Sequence, residues 1–263
     1  MSDFPKNFIV RLFICAAFAQ IFAFPVKSTT IVAVKTKKEI VIGADSKVTD
    51  TFGNSLERQV CKIVQAGNVF FAYAGFARNN ETDFNLPQIA ADALNSKPKA
   101  KIAEKVEILT NIVTEKLNAE IPVLKEKSFP TYREKIEGRI FLRILVAGFD
   151  KGKPALYVRQ FRLGQTDEKG IGVIASNNDC DRKCKGENVT RFLGETAAID
   201  GLPEETKDFW KSGLAEGVNK LIETQITARE EYVGAPIDIL RITAKDAVWI
   251  RKKDSCPDIK NYK

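Results

Sequence analysis

The feature that most constrains the fold is a change of apolar period along the chain. Residues 29–75 carry four short runs rich in β-branched and aromatic residues, TTIVAVKT, EIVIGADS, VCKIVQ and VFFAYAG. The turns at Lys37-Lys38 and Ala66-Gly67-Asn68 give each pair hairpin chemistry. From Leu86 to Leu94 and from Ile102 to Ile121 the period lengthens. Ile102, Val106, Leu109, Val113, Leu117 and Ile121 recur at three- or four-residue steps, the stripe of a helix buried along one side. Strand patterns return in RIFLRILVAGFD, PALYVRQFRL and IGVIAS. Helices are predicted around Val189–Glu195 and over Glu204–Arg229, and PIDILRIT and AVWIRK close the chain as strands. Strands, two helices, strands, two helices, strands is an order that fits two antiparallel sheets packed together between helical layers. The expected class is α+β, a four-layer αββα sandwich, although the pattern alone also fits other α+β arrangements.

Residues 1–28 have a different character. Lys6 and Arg11 precede an uncharged run from Leu12 to Val26, the layout of a secretory signal peptide. Val26 and Ser28 stand at the third and first places before an expected cut ahead of Thr29; Ala17 and Ala19 offer a rival cut before Gln20. An uncleaved signal anchor is the other reading, and bulky Ile14 argues against a lipoprotein cut at Cys15. The expected organisation is therefore a signal peptide or propeptide over 1–28 and one domain over 29–263. The expected location is secreted or periplasmic, with no stable membrane span after cleavage.

Four cysteines follow the leader, and an oxidising compartment permits disulfides among them. Cys180 and Cys184 share the polar loop NNDCDRKCKG and are the expected pair. A zinc site is disfavoured, since two close thiols lack a second pair and the chain has no histidine. The formal net charge of +7 is spread along the chain without an arginine stripe, so nucleic acid is not an expected partner. Asn80-Glu81-Thr82 and Asn188-Val189-Thr190 are glycosylation sequons only in a host that glycosylates.

The absence of histidine excludes the most function classes. It removes Ser-His-Asp and Cys-His nucleophiles, and with them histidine-based metal hydrolysis. Phosphate-binding glycine loops and the G-x-S-x-G elbow are missing as well. A chain like this either does no catalysis or uses another base. A free α-amine, with an ordinary pKa near 8, is one such base, and a cut after Ser28 would create it on a residue that carries its own hydroxyl.

Thr29-Thr30 before an apolar strand, Asp45 in GADSKVT at the end of the next, Lys62 in VCKIV and Ala74-Gly75 after another strand together resemble a proteasome β-type subunit. They are similar also to the peptidase subunit of the bacterial two-component ATP-dependent protease, a fellow N-terminal nucleophile hydrolase. The resemblance follows element order over 29–263, and its specific motifs lie between Thr29 and Gly75. It implies Thr29 as nucleophile, Lys62 as the cation favouring loss of its protons, Asp45 as the carboxylate orienting that lysine, and Gly75 as an oxyanion-stabilising N–H. It further places Ser176 near the α-amine and Glu230 behind the nucleophile. Glu230 and Val233 depart from the family's aspartate and serine there.

Taken singly, Asp45 reads as a strand-end residue, Lys62 as an edge lysine, Gly75 as a turn glycine, Ser176 as a loop serine and Glu230 as a helix-end charge. Their joint order points to a site. The implied activity is a threonine-type peptidase or amidohydrolase that needs no metal or organic cofactor. Its implied substrate is a peptide or unfolded polypeptide, and its implied assembly is a homo-oligomeric ring. Alignment with the family sets Val48, Val60, Val64 and Tyr73 around the first substrate pocket. A hydrolase of a small amide and a catalytically silent assembly or binding module are the alternatives.

Overall fold

Alternation along the strands separates the layers. In the computed structural model, which describes residues 29–49, 55–56, 60–79, 82–166, 170–177, 184, 186–202, 209–260 and 262, β1 (Thr30–Lys35) and β2 (Glu39–Ala44) form a hairpin buried on both faces. Ile31, Ala33, Ile40 and Ile42 turn to one apolar cluster, and Val32, Val34 and Val41 to another. A strand covered on both sides must be apolar throughout, which is why TIVAVK reads as a continuous run.

Two five-stranded antiparallel sheets result. The first has the order β10-β1-β2-β11-β12, with β10 at Val189–Gly194, β11 at Asp238–Thr243 and β12 at Ala247–Arg251. The second runs β5-β6-β7-β8-β9, from Ile63–Ala66 and Val69–Gly75 through Ile140–Asp150 and Lys153–Gln165 to Ile171–Ser176. A two-stranded ribbon, β3 (Val48–Thr49) with β4 (Ser55–Leu56), stands apart.

Three apolar clusters lie between four layers. Helices α1 (Leu86–Asn95) and α2 (Ile102–Lys127) cover the second sheet through Leu94, Val106, Leu109 and Val113 against Phe71 and Val146. Between the sheets Ile31 and Ile42 meet Phe70, Ala72 and Leu145. Helix α3 (Leu214–Ala228) covers the first sheet with Val218, Leu221 and Ile222 against Val32 and Val41. This is the αββα sandwich expected from the element order. The start of α2 is capped from a distance: the Ile102 N–H donates to the Asp150 carboxylate at 3.1–3.2 Å, since Lys101 supplies no side-chain cap. No helix among the described residues is long and apolar enough to cross a membrane.

One predicted element has the wrong type. Val189–Glu195 was expected as a helix, but Val189–Gly194 is strand β10, paired with β1 from Lys35 to Thr30. The run VTRFLG is too short for its period to distinguish strand from helix, and pairing with β1 decides it. The expected leader, the Asn80 sequon and Cys180 lie outside the described residues. Cys184 is disulfide-bonded. A pairing that was not expected joins Cys61 to Cys256 across 195 residues, with Cα atoms 5.0 Å apart.

Candidate active site

Strand register sets the site at one end of the first sheet. Ile31 pairs with Ala44 and Asp238 pairs with Ala44 from the other side, so Thr30, Asp45 and Asp238 lie together where β1, β2 and β11 meet. Asp45 is fully buried. Its Oδ1 accepts from the Thr30 N–H at 2.8 Å and from Lys62 Nζ at 2.7 Å. Its Oδ2 accepts from the N–H groups of Lys47 and Gly234 at 3.1 and 3.2 Å. Four donors from separate segments thus converge on one carboxylate, and Lys62 also donates to the Lys47 carbonyl at 2.7 Å.

Burial pushes the Lys62 ammonium below its ordinary value, and Asp45 opposes that fall by pairing with the charged form. The residue can therefore change its protonation more easily than a surface lysine. That is a property useful beside a nucleophile.

Thr29, 8% exposed, is clasped by the end of β10. The Glu195 N–H donates to the Thr29 carbonyl at 2.7 Å, and Thr30 Oγ1 donates to the Glu195 carbonyl at 2.5 Å. Gly194 has φ +87°, and a Cβ there would lie 1.7 Å from the Thr29 oxygen, so only glycine permits this approach. Gly75, at the end of β6 with φ +111°, has the same constraint: its Cβ would meet the Phe141 carbonyl at 2.1 Å.

The structure thus gathers Asp45, Lys62 and the N–H of Thr30, the residue after Thr29. Gly75 ends a strand of the facing sheet. Ser176 ends β9, exposed, and pairs with Gln160 in the ladder. Glu230 is exposed, and what it brings to the cluster is its carbonyl, which accepts from Lys47 Nζ at 2.5 Å. Val233 is fully buried beside Gly234. Val64 and Tyr73 share the apolar cluster under α1 and α2, Val60 is half-buried, and the Val48 side chain lies outside the described residues.

The proteasome subunit family model matches residues 26–162, a little over half of the chain. The chain belongs to the proteasome subunit family. No curated protein matches it significantly. The family is one of peptidases of the N-terminal nucleophile type that work as oligomeric rings. The matched span ends before β10, so the residues that clasp Thr29 from Gly194-Glu195 fall outside it.

Sequence reasoning missed two parts of this buried cluster. The first is Glu195, 8% exposed, whose carboxylate lies 3.6 Å from Arg229 Nε and so joins the β10 end to the loop after α3. Its signal was the glycine closing an apolar run, LGET, hidden by the helix reading. The second is a further buried pair, Lys253 with Asp238 at 2.5 Å. Asp238, Cys61 and Cys256 place ligand-type atoms within 4.8 Å of one another, but the two sulfurs are bonded to each other and are not thiolate ligands.

Proposed function

We propose that this proteasome-family chain is a threonine-type peptidase or amidohydrolase whose nucleophile is Thr29, exposed by cleavage after Ser28. One observation carries the reading: a single oxygen of buried Asp45 holds both Lys62 and the N–H of the residue that follows Thr29. The lysine is thereby tied to the strand that follows the nucleophile. The chemistry then needs no histidine. The α-amine takes the hydroxyl proton directly or through water, the hydroxyl oxygen attacks the amide carbon, and the amine side leaves with that proton. Water hydrolyses the acyl ester and restores the hydroxyl. Lys62 favours the deprotonated nucleophile, and the Gly75 N–H supports the oxyanion, a donor whose loss typically costs about 3–4 kcal/mol.

The substrate class is a peptide or unfolded polypeptide, with an apolar side chain before the scissile bond because no acidic residue stands among Val60, Val64 and Tyr73. Export to the cell exterior or periplasm and assembly as a homo-oligomeric ring belong to the same reading. In protein shown by N-terminal sequencing to begin at Thr29, Thr29→Ala should abolish turnover of apolar fluorogenic peptides and leave the fold intact, while Thr29→Ser should keep part of it. Hydrolysis by the alanine variant at the wild-type rate would remove this reading and leave the silent module. That alternative has one favourable observation, the exposed Glu230 and apolar Val233 where the family offers polar groups to the amine.

A further inference from the structure

We propose that Lys253, carried into the protein by the C-terminal tail, is a positioning residue that sets the protonation of Lys62. Asp45, Ser46 and Lys47 form one tripeptide gripped by two buried ammonium groups. Lys62 takes the Asp45 carboxylate and the Lys47 carbonyl. Lys253 takes the hydroxyl between them, donating to Ser46 Oγ, which donates in turn to the Pro236 carbonyl. Lys253 also pairs with Asp238 at 2.5 Å, and its own N–H donates to the other oxygen of that carboxylate at 3.0 Å. Both side chains are almost fully buried, at 3% and 0% exposure.

Lys253 lies two residues beyond the end of β12, outside the strand ladder, and meets the sheet through the Asp238 carboxylate. The tail is anchored by Cys256, bonded to Cys61, the residue immediately before Lys62. The Cys256 sulfur lies 3.2 Å from Asp238 Oδ2. One covalent link therefore secures the segment bearing Lys253 to the segment bearing Lys62. A second ammonium gripping the same tripeptide disfavours the protonated form of Lys62. Among the described residues, Asp45 from the end of β2 and Asp238 from β11 raise the proton affinity of Lys62, and Lys253 from the tail lowers it in the same sense as burial. The tail thus brings an anion-matched cation to the back of the site, and the disulfide keeps it there.

The inference rests on the proposed role of Lys62, so its test must not depend on turnover alone. Lysine side-chain NMR, with the Lys62 signal assigned by its loss in Lys62→Arg, follows the Lys62 titration in the full mature chain. In Lys253→Met the midpoint should rise by on the order of one pH unit, the scale of one charged neighbour. Lys253→Arg keeps the cation and should hold the wild-type midpoint. Loosened packing would shift the bulkier arginine variant as well, which would overturn the inference. Cys61→Ala/Cys256→Ala, which frees the tail, should reproduce the methionine result. With apolar peptides the methionine variant should lose kcat more than it changes KM, with the acid limb of its pH profile moved upward. An unchanged Lys62 midpoint in Lys253→Met overturns the inference. A shifted midpoint in a protein that hydrolyses no peptide supports it and removes the proposed peptidase instead.

Discussion

Asp45 and Asp238 are both fully buried, and each is paired with a lysine that is almost fully buried too. Their surroundings differ. Asp45 is held by backbone N–H groups from β1, from its own turn and from the loop before β11, in addition to Lys62. Among the described residues Asp238 receives nitrogen donors from Lys253 alone, through its N–H and its ammonium. The first carboxylate is built into the ladder ends, and the second is satisfied by a tail that depends on a disulfide. A buried charge is tolerated only when enough donors surround it, so the number of independent segments supplying them measures how much structure each aspartate organises.

The largest effect should come from breaking the better-connected pair. Asp45→Ala leaves Lys62 without its counter-charge and three backbone N–H groups without their acceptor, a loss expected at about 3–5 kcal/mol with turnover abolished. Asp238→Ala should cost less, about 1–3 kcal/mol, because among the described residues only the Lys253 N–H and ammonium lose a nitrogen donor's acceptor, and the ammonium keeps Ser46 Oγ. Urea denaturation of both variants checks the order, and equal losses would end the contrast between ladder and tail.

A smaller effect sharpens the same contrast through pH. Lys62 holds its proton less tightly folded than unfolded, where the ordinary value is 10.5, so between those two values the unfolded chain binds more protons. Stability attributable to Lys62 should therefore rise with pH through the alkaline range up to about 10.5 and be flat below the lowered folded value. Lys62→Met should lack that rise. Denaturation midpoints at neutral and alkaline pH, compared between the two proteins, measure it, and parallel curves would count against the direction of the shift.

The smallest expected effect sets the zero of the comparison. Glu230 is exposed and meets Lys47 through its carbonyl, so Glu230→Gln should change stability by no more than about 0.5 kcal/mol and leave peptide turnover unaltered. A sharp loss of turnover with unchanged stability would return its carboxylate to the site.

Much of the frame was legible because strands buried on both faces and a long one-sided helix leave strong periodic marks. TIVAVK, EIVIGA and the stripe from Ile102 to Ile121 fall where the structure has β1, β2 and α2. Asp45, just past one apolar strand, and Lys62, just ahead of another, stood out through the family order they share with Thr29 and Gly75. By contrast, VTRFLG carries no period of its own, and only its ladder with β1 makes it a strand and brings Glu195 against Thr29. Lys253 and Asp238 are fifteen residues apart in a charged tail and a strand, and nothing local distinguishes them from solvated neighbours.

The sequence by itself determined the α+β class, the strand hairpins and the residue types able to work without histidine, since periodicity and chemistry are properties of short segments. The tertiary structure alone decided which distant groups meet. Cys61 finds Cys256 across 195 residues, and Lys62 and Lys253 grip adjacent residues of one tripeptide. Those pairings follow from sheet register and from the need to surround each buried charge with donors, conditions that exist only once the strands have paired.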